Sequence, residues 1–157
     1  MLKIINIVLI FFLIVFSLAE DVNNEIEISS ETMEWKREES IAIAIGEAKA
    51  IQGNRILSAD KIVVFFNNKQ DEKKIYKLDA LGQVTFVSGE QVAKGDEATY
   101  YVDNETIIIK GNVKLKREDS FMIGEELSID LKNNSSKLTS SNKSGKVKAK
   151  YKTEDKK

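Results

Sequence analysis

The sequence predicts an all-β fold of stacked antiparallel hairpins, and three observations carry that prediction. Short runs rich in Ile, Val, Phe and Tyr alternate with polar residues at the twofold period of a strand. Turn-forming residues punctuate the runs at Gly53-Asn54, Asn67-Asn68, Ser88-Gly89, Asp103-Asn104 and Asn133-Asn134-Ser135. The third observation is a repeat. Gly46-Glu47-Ala48-Lys49-Ala50 leads to Ala59-Asp60-Lys61-Ile62, Gly82-Gln83-Val84-Thr85-Phe86 to Gly95-Asp96-Glu97-Ala98, and Gly111-Asn112-Val113-Lys114-Leu115 to Gly124-Glu125-Glu126-Leu127. In each copy the acid stands fourteen positions after the first glycine. Three copies with one spacing and one alternation read as three hairpins. A lone hairpin cannot bury its apolar face, whereas a stack of them can.

The chain opens on a different kind of segment. Residues 1–19 begin Met1-Leu2-Lys3, continue as an apolar run from Ile4 broken only by Asn6, and end Ser17-Leu18-Ala19 before the acids Glu20-Asp21. This is the order of an export signal, with cleavage expected after Ala19. As a helix, Ile4 to Ala19 would reach roughly 24 Å at about 1.5 Å per residue, short of a hydrocarbon core about 30 Å thick. The expected organisation is a signal peptide at 1–19, one β domain at 20–149 and a lysine-rich tail at 150–157. A retained membrane anchor is the alternative for the first segment.

Within the domain, half copies flank the three repeats. Ser30-Glu31-Thr32-Met33-Glu34-Trp35 matches a second half, and Gly145-Lys146-Val147-Lys148-Ala149 a first half. Side-chain parity then assigns faces. The third repeat places Ile107, Ile109, Val113 and Leu115 inside, and its return strand Ile123, Leu127, Ile129 and Leu131. The second gives Leu78, Ala80, Val84, Phe86, Val92, Ala98 and Tyr100. The first gives Ala42, Ala44, Ala48 and Ala50, with Ile41, Ile43 and Ile45 opposite. That strand is either buried on both faces or shifted in register.

Composition narrows the functions open to this fold. Cysteine, histidine and proline are absent, and 24 basic residues face 25 acidic ones. Disulfides, thiolate metal sites and the commonest general base are thereby removed, and no cofactor is expected. Balanced, dispersed charge gives a nucleic-acid partner no electrostatic support. The exception is the run Lys143 to Lys157, a solvated tail or a patch for anionic head groups. The column Asp60, Asp96, Glu125 invites a metal or acid–base reading, but equivalent positions in stacked strands lie roughly 5 to 10 Å apart. Turn or bulge capping suits it better, and the repeated glycines mark bends or bulges.

Ile56 to Val64, Ala93 to Tyr100, and Ile107 to Val113 continuing to Ile123-Gly124 resemble the OstA-like family, including its periplasmic bridge proteins of lipopolysaccharide transport. The resemblance spans about Ile26 to Ala149; its individual tripeptides are common, and their order and spacing carry it. It implies two curled antiparallel sheets meeting as a V-shaped β-jellyroll. The acyl chains of lipopolysaccharide, its lipid A moiety, would ride in the apolar interior. It also implies end-to-end stacking of copies between an inner-membrane receptor (component C) and an outer-membrane translocon (component D). Open sheet edges suit such contacts, and the candidates are Ile26, Ile28 and Met33 at one end and Val147 at the other. Ser29-Ser30 and the basic tail depart from the family pattern. Two alternatives stay open: an anchored receptor of the same fold, and a structural β-repeat protein that binds no lipid.

Overall fold

The computed structural model describes residues 25–67, 74–140 and 145–152. The expected signal peptide, Asn68 and the end of the lysine-rich tail lie outside the described residues. The strands are β1 (Glu27–Ser29), β2 (Thr32–Lys36), β3 (Ile41–Gln52), β4 (Arg55–Asn67), β5 (Lys74–Ser88), β6 (Gln91–Tyr101), β7 (Thr106–Arg117), β8 (Ser120–Asp130), β9 (Ser135–Thr139) and β10 (Lys148–Tyr151). All pair antiparallel in the order β1-β3-β4-β5-β6-β7-β8-β10, with β2 beside β1 on β3 and β9 beside β10 on β8. The turns at Gly53-Asn54, Gly89 and Asp103-Asn104 fall where their residues predict.

One irregularity recurs in every long strand. The ladder shifts by a residue between Ile45 and Ala48, Ser58 and Lys61, Leu81 and Val84, Lys94 and Glu97, and Lys110 and Val113. At each shift a Gly-X pair on β3, β5 or β7 faces one acidic residue on the neighbouring strand. In the pairs Gly82-Gln83 and Gly111-Asn112, both residues have positive φ. The acid sits where a Cβ on the adjacent glycine would go: Glu31 over Gly46, Asp60 over Gly82, Asp96 over Gly111. Asn112 Nδ2 also donates to Asp96 Oδ2 at 2.7 Å. Glycine is required there for two reasons, its left-handed backbone and the missing side chain.

These bulges line up across the sheet as a crease that divides it into two leaves. The first leaf carries residues such as 41–45, 61–67 and 97–101, with β2 and β9. The second carries 48–52, 84–88 and 113–117, with β1 and β10. Tyr100 Oη donates to Gln52 Oε1 at 2.7 Å. Their strands stand three places apart in the sheet, about 14 Å when flat, and the two residues lie on opposite sides of the crease. That hydrogen bond requires the leaves to fold face to face, giving a β-jellyroll whose sheet does not close on itself.

The inner faces of both leaves form one apolar cluster. Ala42, Ala44, Ala48 and Ala50 line it from β3, as parity predicts. Ile43 on the opposite face is only 9% exposed, so β3 is covered on both sides at that point. Alternation misplaces two residues. It puts Val92 and Ile123 inside, whereas the structure buries Ala93 and Gly124 and leaves Ile123 41% exposed. The crease is the cause. On β4, β6 and β8 the inward set changes parity there: Leu57 and Ala59 give way to Ile62 and Val64, Ala93 to Ala98 and Tyr100, and Gly124 to Leu127 and Ile129. On β3, β5 and β7 the Gly-X pair preserves parity.

Candidate functional site

The interior between the leaves brings together most of the residues that parity assigns to it. Leu78, Ala80, Ala98, Tyr100, Ile107, Ile109, Leu127 and Ile129 line the first leaf; Val84, Phe86, Val113 and Leu115 line the second. Leu131 packs at the margin of the same cluster, with Met122 on the face expected for Ile123. Phe86 is buried while Thr85 beside it faces outward. Full burial of a side chain such as Phe86 or Leu127 stabilises by roughly 1.5–3 kcal/mol, so these residues hold the leaves together in this state.

The edge candidates separate into two kinds. Ile26 and Ile28 pack against the cluster, with Ile28 opposite Ala50. Met33 pairs with Ala44, and Trp35 with Ala42, on the same inner face. Both remain 47% exposed, β2 pairing with β3 alone among the described strands. Trp35 and Phe66 stack with ring centroids 4.9 Å apart, covering the alanine side of the interior. At the other end Val147 precedes β10 and is exposed. β1 and β2 are one strand of the β4 type interrupted at Ser30-Glu31, beside the Ser29-Ser30 departure from the family pattern.

Opposite the crease lies a mouth between the free ends of the leaves, and polar side chains bridge it. Besides Tyr100 and Gln52, Arg55 Nη2 on the second leaf meets Glu105 Oε2 on the first at 3.0 Å. Gln91 Nε2 donates to Ser136 Oγ at 3.3 Å. Glu105 is fixed in the β6–β7 turn, its own N–H bonded to the Val102 carbonyl at 3.2 Å and its carbonyl accepting from Leu131 N–H at 2.9 Å. Burial pushes the Tyr100 hydroxyl pKa up, and the neighbouring Arg55 guanidinium offsets part of that rise.

Just inside the mouth is an apolar cavity of about 10 Å³ lined by residues including Ile26, Ala50, Leu57, Leu78 and Phe86. That volume holds at most one water, so the leaves are in packed contact. Above it runs a polar cleft of about 420 Å³ among the turns, lined by residues including Asn54, Arg55, Gln91, Arg117 and Asn134. Arg55 lines both. Sequence reading missed this mouth because its partners are 45 to 50 residues apart. It also missed Leu57, Ile62, Val64 and Ala93 on the inner faces. The adjacent polar pairs Asp60-Lys61, Asp96-Glu97 and Glu125-Glu126 mark the parity change that would have found them.

The family described as LptA/(LptD N-terminal domain) LPS transport protein matches residues 27–135, from β1 to the start of β9. The chain belongs to this family. Among curated relatives, an uncharacterized protein of Rhizobium meliloti is 30% identical over 112 residues, 68% of this chain and 60% of that protein. The lipopolysaccharide export system protein LptA of Haemophilus influenzae is 29% identical over 135 residues, 82% of this chain and 78% of that one. The LPS-assembly protein LptD of Nitrosomonas europaea is 32% identical over 63 residues, of which the chain spans only 9% of the whole. The chain thus spans less than two thirds of the Rhizobium and Nitrosomonas relatives. In fold, it superposes on the crystal structure of LptH from Pseudomonas aeruginosa, the LptA-homologous periplasmic component of a lipopolysaccharide transport device. The TM-score is 0.73 at 12% identity, covering 85% of this chain and 99% of LptH.

Proposed function

We propose that this chain is a periplasmic carrier of lipopolysaccharide, passing it from the inner towards the outer membrane with the acyl chains held between the two leaves. One observation carries the reading: a family of lipopolysaccharide transport proteins supplies the fold, and the fold supplies a continuous apolar interior with a mouth along one side. Carrying an acylated lipid through water requires covering its chains, worth about 0.8 kcal/mol for each methylene buried. The apolar inner residues, Phe86, Val84, Leu78 and Leu115 among them, are the chain-binding surface, and the leaves part at the mouth to admit the lipid. Residues 1–19 direct export, and 20–149 form the carrier domain.

The edges supply the partner contacts. β1 and β2 at one end and β10 at the other are edge strands among the described residues, suited to adding strands from an inner-membrane receptor, an outer-membrane translocon or a second copy of the chain. The packed interior favours one other reading, a structural β-repeat module that takes no lipid. Photo-crosslinking residues placed at Phe86 and at Thr85, in cells making lipopolysaccharide, separate the two. Adducts with lipopolysaccharide at Phe86 and none at Thr85 are expected. Adducts at neither position, from exported and folded protein, would leave the structural module.

A further inference from the structure

Arg55 lines both the polar cleft and the apolar cavity. Its side chain is 24% exposed and its guanidinium is committed across the mouth to Glu105, itself 42% exposed. Opening the leaves separates that pair and leaves a guanidinium without its carboxylate at the top of the apolar wall formed by Leu57 and Phe86. An unpaired charge in such a position is costly. A phosphate at the root of the acyl chains would arrive at the same height and satisfy the fork of N–H donors with matching geometry.

We propose that Arg55 is the head-group anchor of the bound amphiphile, exchanging Glu105 for a phosphate of the lipid as the leaves part. This rests on the carrier reading and adds to it the chemistry that selects the cargo. Arg117 lines the same cleft, but so do Glu90 and Glu118, so the rim carries no net positive charge to collect anions at a distance. Recognition is therefore short-range: it needs chains in the cavity and phosphate on Arg55 together. Glu105 acts as a competitor that keeps the mouth shut against lipids with nothing to offer the arginine.

The test uses the exported form of the full chain with lipid A and chemically dephosphorylated lipid A in the same detergent, and inorganic phosphate alone as a third probe. Calorimetric titration should show wild type preferring the phosphorylated lipid by about ten- to a hundredfold, the range of one or two charge-assisted hydrogen bonds. Arg55→Met should bind the two lipids equally, the phosphate preference of wild type being lost. Glu105→Gln should bind the phosphorylated lipid more tightly than wild type, a readout that survives if Arg55→Met fails to fold. Equal affinity of wild type for both lipids overturns the anchor and leaves the carrier reading intact. Saturable binding of inorganic phosphate alone, lost in Arg55→Met, overturns it in favour of a plain anion site. Binding of neither lipid overturns both readings.

Discussion

The crease and the mouth lie on opposite sides of the same two leaves, and they are held by different physics. At the crease the constraint is backbone: aligned left-handed Gly-X pairs, each glycine with a carboxylate occupying the space of its missing Cβ. At the mouth it is a few side-chain hydrogen bonds and one partly exposed ion pair. The first kind tolerates almost no substitution. The second breaks and re-forms at a cost of about 1 kcal/mol per bond. Two leaves joined so unequally would open from one side only.

The largest expected effect tests the crease. Gly111→Ala should lose about 3 kcal/mol in urea unfolding, combining a left-handed backbone penalty with the collision against Asp96. Gly53→Ala is its control: φ is positive there too, but nothing lies within 4 Å, and about 1 kcal/mol is expected. Equal losses would mean that the acid–glycine contact contributes nothing. Next comes the mouth. Tyr100→Phe should cost about 1 kcal/mol and speed amide exchange near Gln52 and Tyr100 without affecting the amides around Gly111; uniform acceleration would erase the distinction between the two regions.

The same tyrosine gives the mouth a pH signature. Its folded pKa lies above the ordinary 10.0, chiefly through burial. The stability it contributes is therefore complete below pH 10 and lost as pH rises through the folded value. As pH rises above 10, wild-type stability should fall more steeply than that of Tyr100→Phe, and parallel curves would remove Tyr100 from the account. Smallest is the exposed pair Lys74–Asp103, 2.9 Å apart with side chains 72% and 57% exposed. Asp103→Ala should change stability by less than about 0.5 kcal/mol; a loss comparable to Tyr100→Phe would show that the rim is stiffer than its hydrogen bonds imply.

How much of this was legible in the sequence follows from the range of each interaction. Hairpin order and the inward sets of β3, β5 and β7 depend on period-two alternation and local turn chemistry, and both can be read off a single strand. The glycines and acids were visible as a spaced column, and their role as bulge partners fits the capping expected of them. Alternation carried through Asp96-Glu97 and Glu125-Glu126 puts Val92 and Ile123 on the wrong face, because the strand turns over there. The mouth was illegible for a deeper reason. Arg55 and Glu105 meet only because the sheet folds over, and no local pattern encodes the angle of that fold.

The crease has one more consequence, for how the chain tolerates changes in length. In an ordinary strand, one inserted residue sends every side chain beyond it to the opposite face. Here each of β3, β5 and β7 already carries a surplus residue beside Gly46, Gly82 or Gly111, and the ladder resumes past it shifted by that one residue. Strand length and side-chain facing are uncoupled along that line. Losing the residue at Glu47, Gln83 or Asn112 should leave a strand with the inward spacing that β4, β6 and β8 already have, whereas the same loss a few positions away would turn a strand inside out.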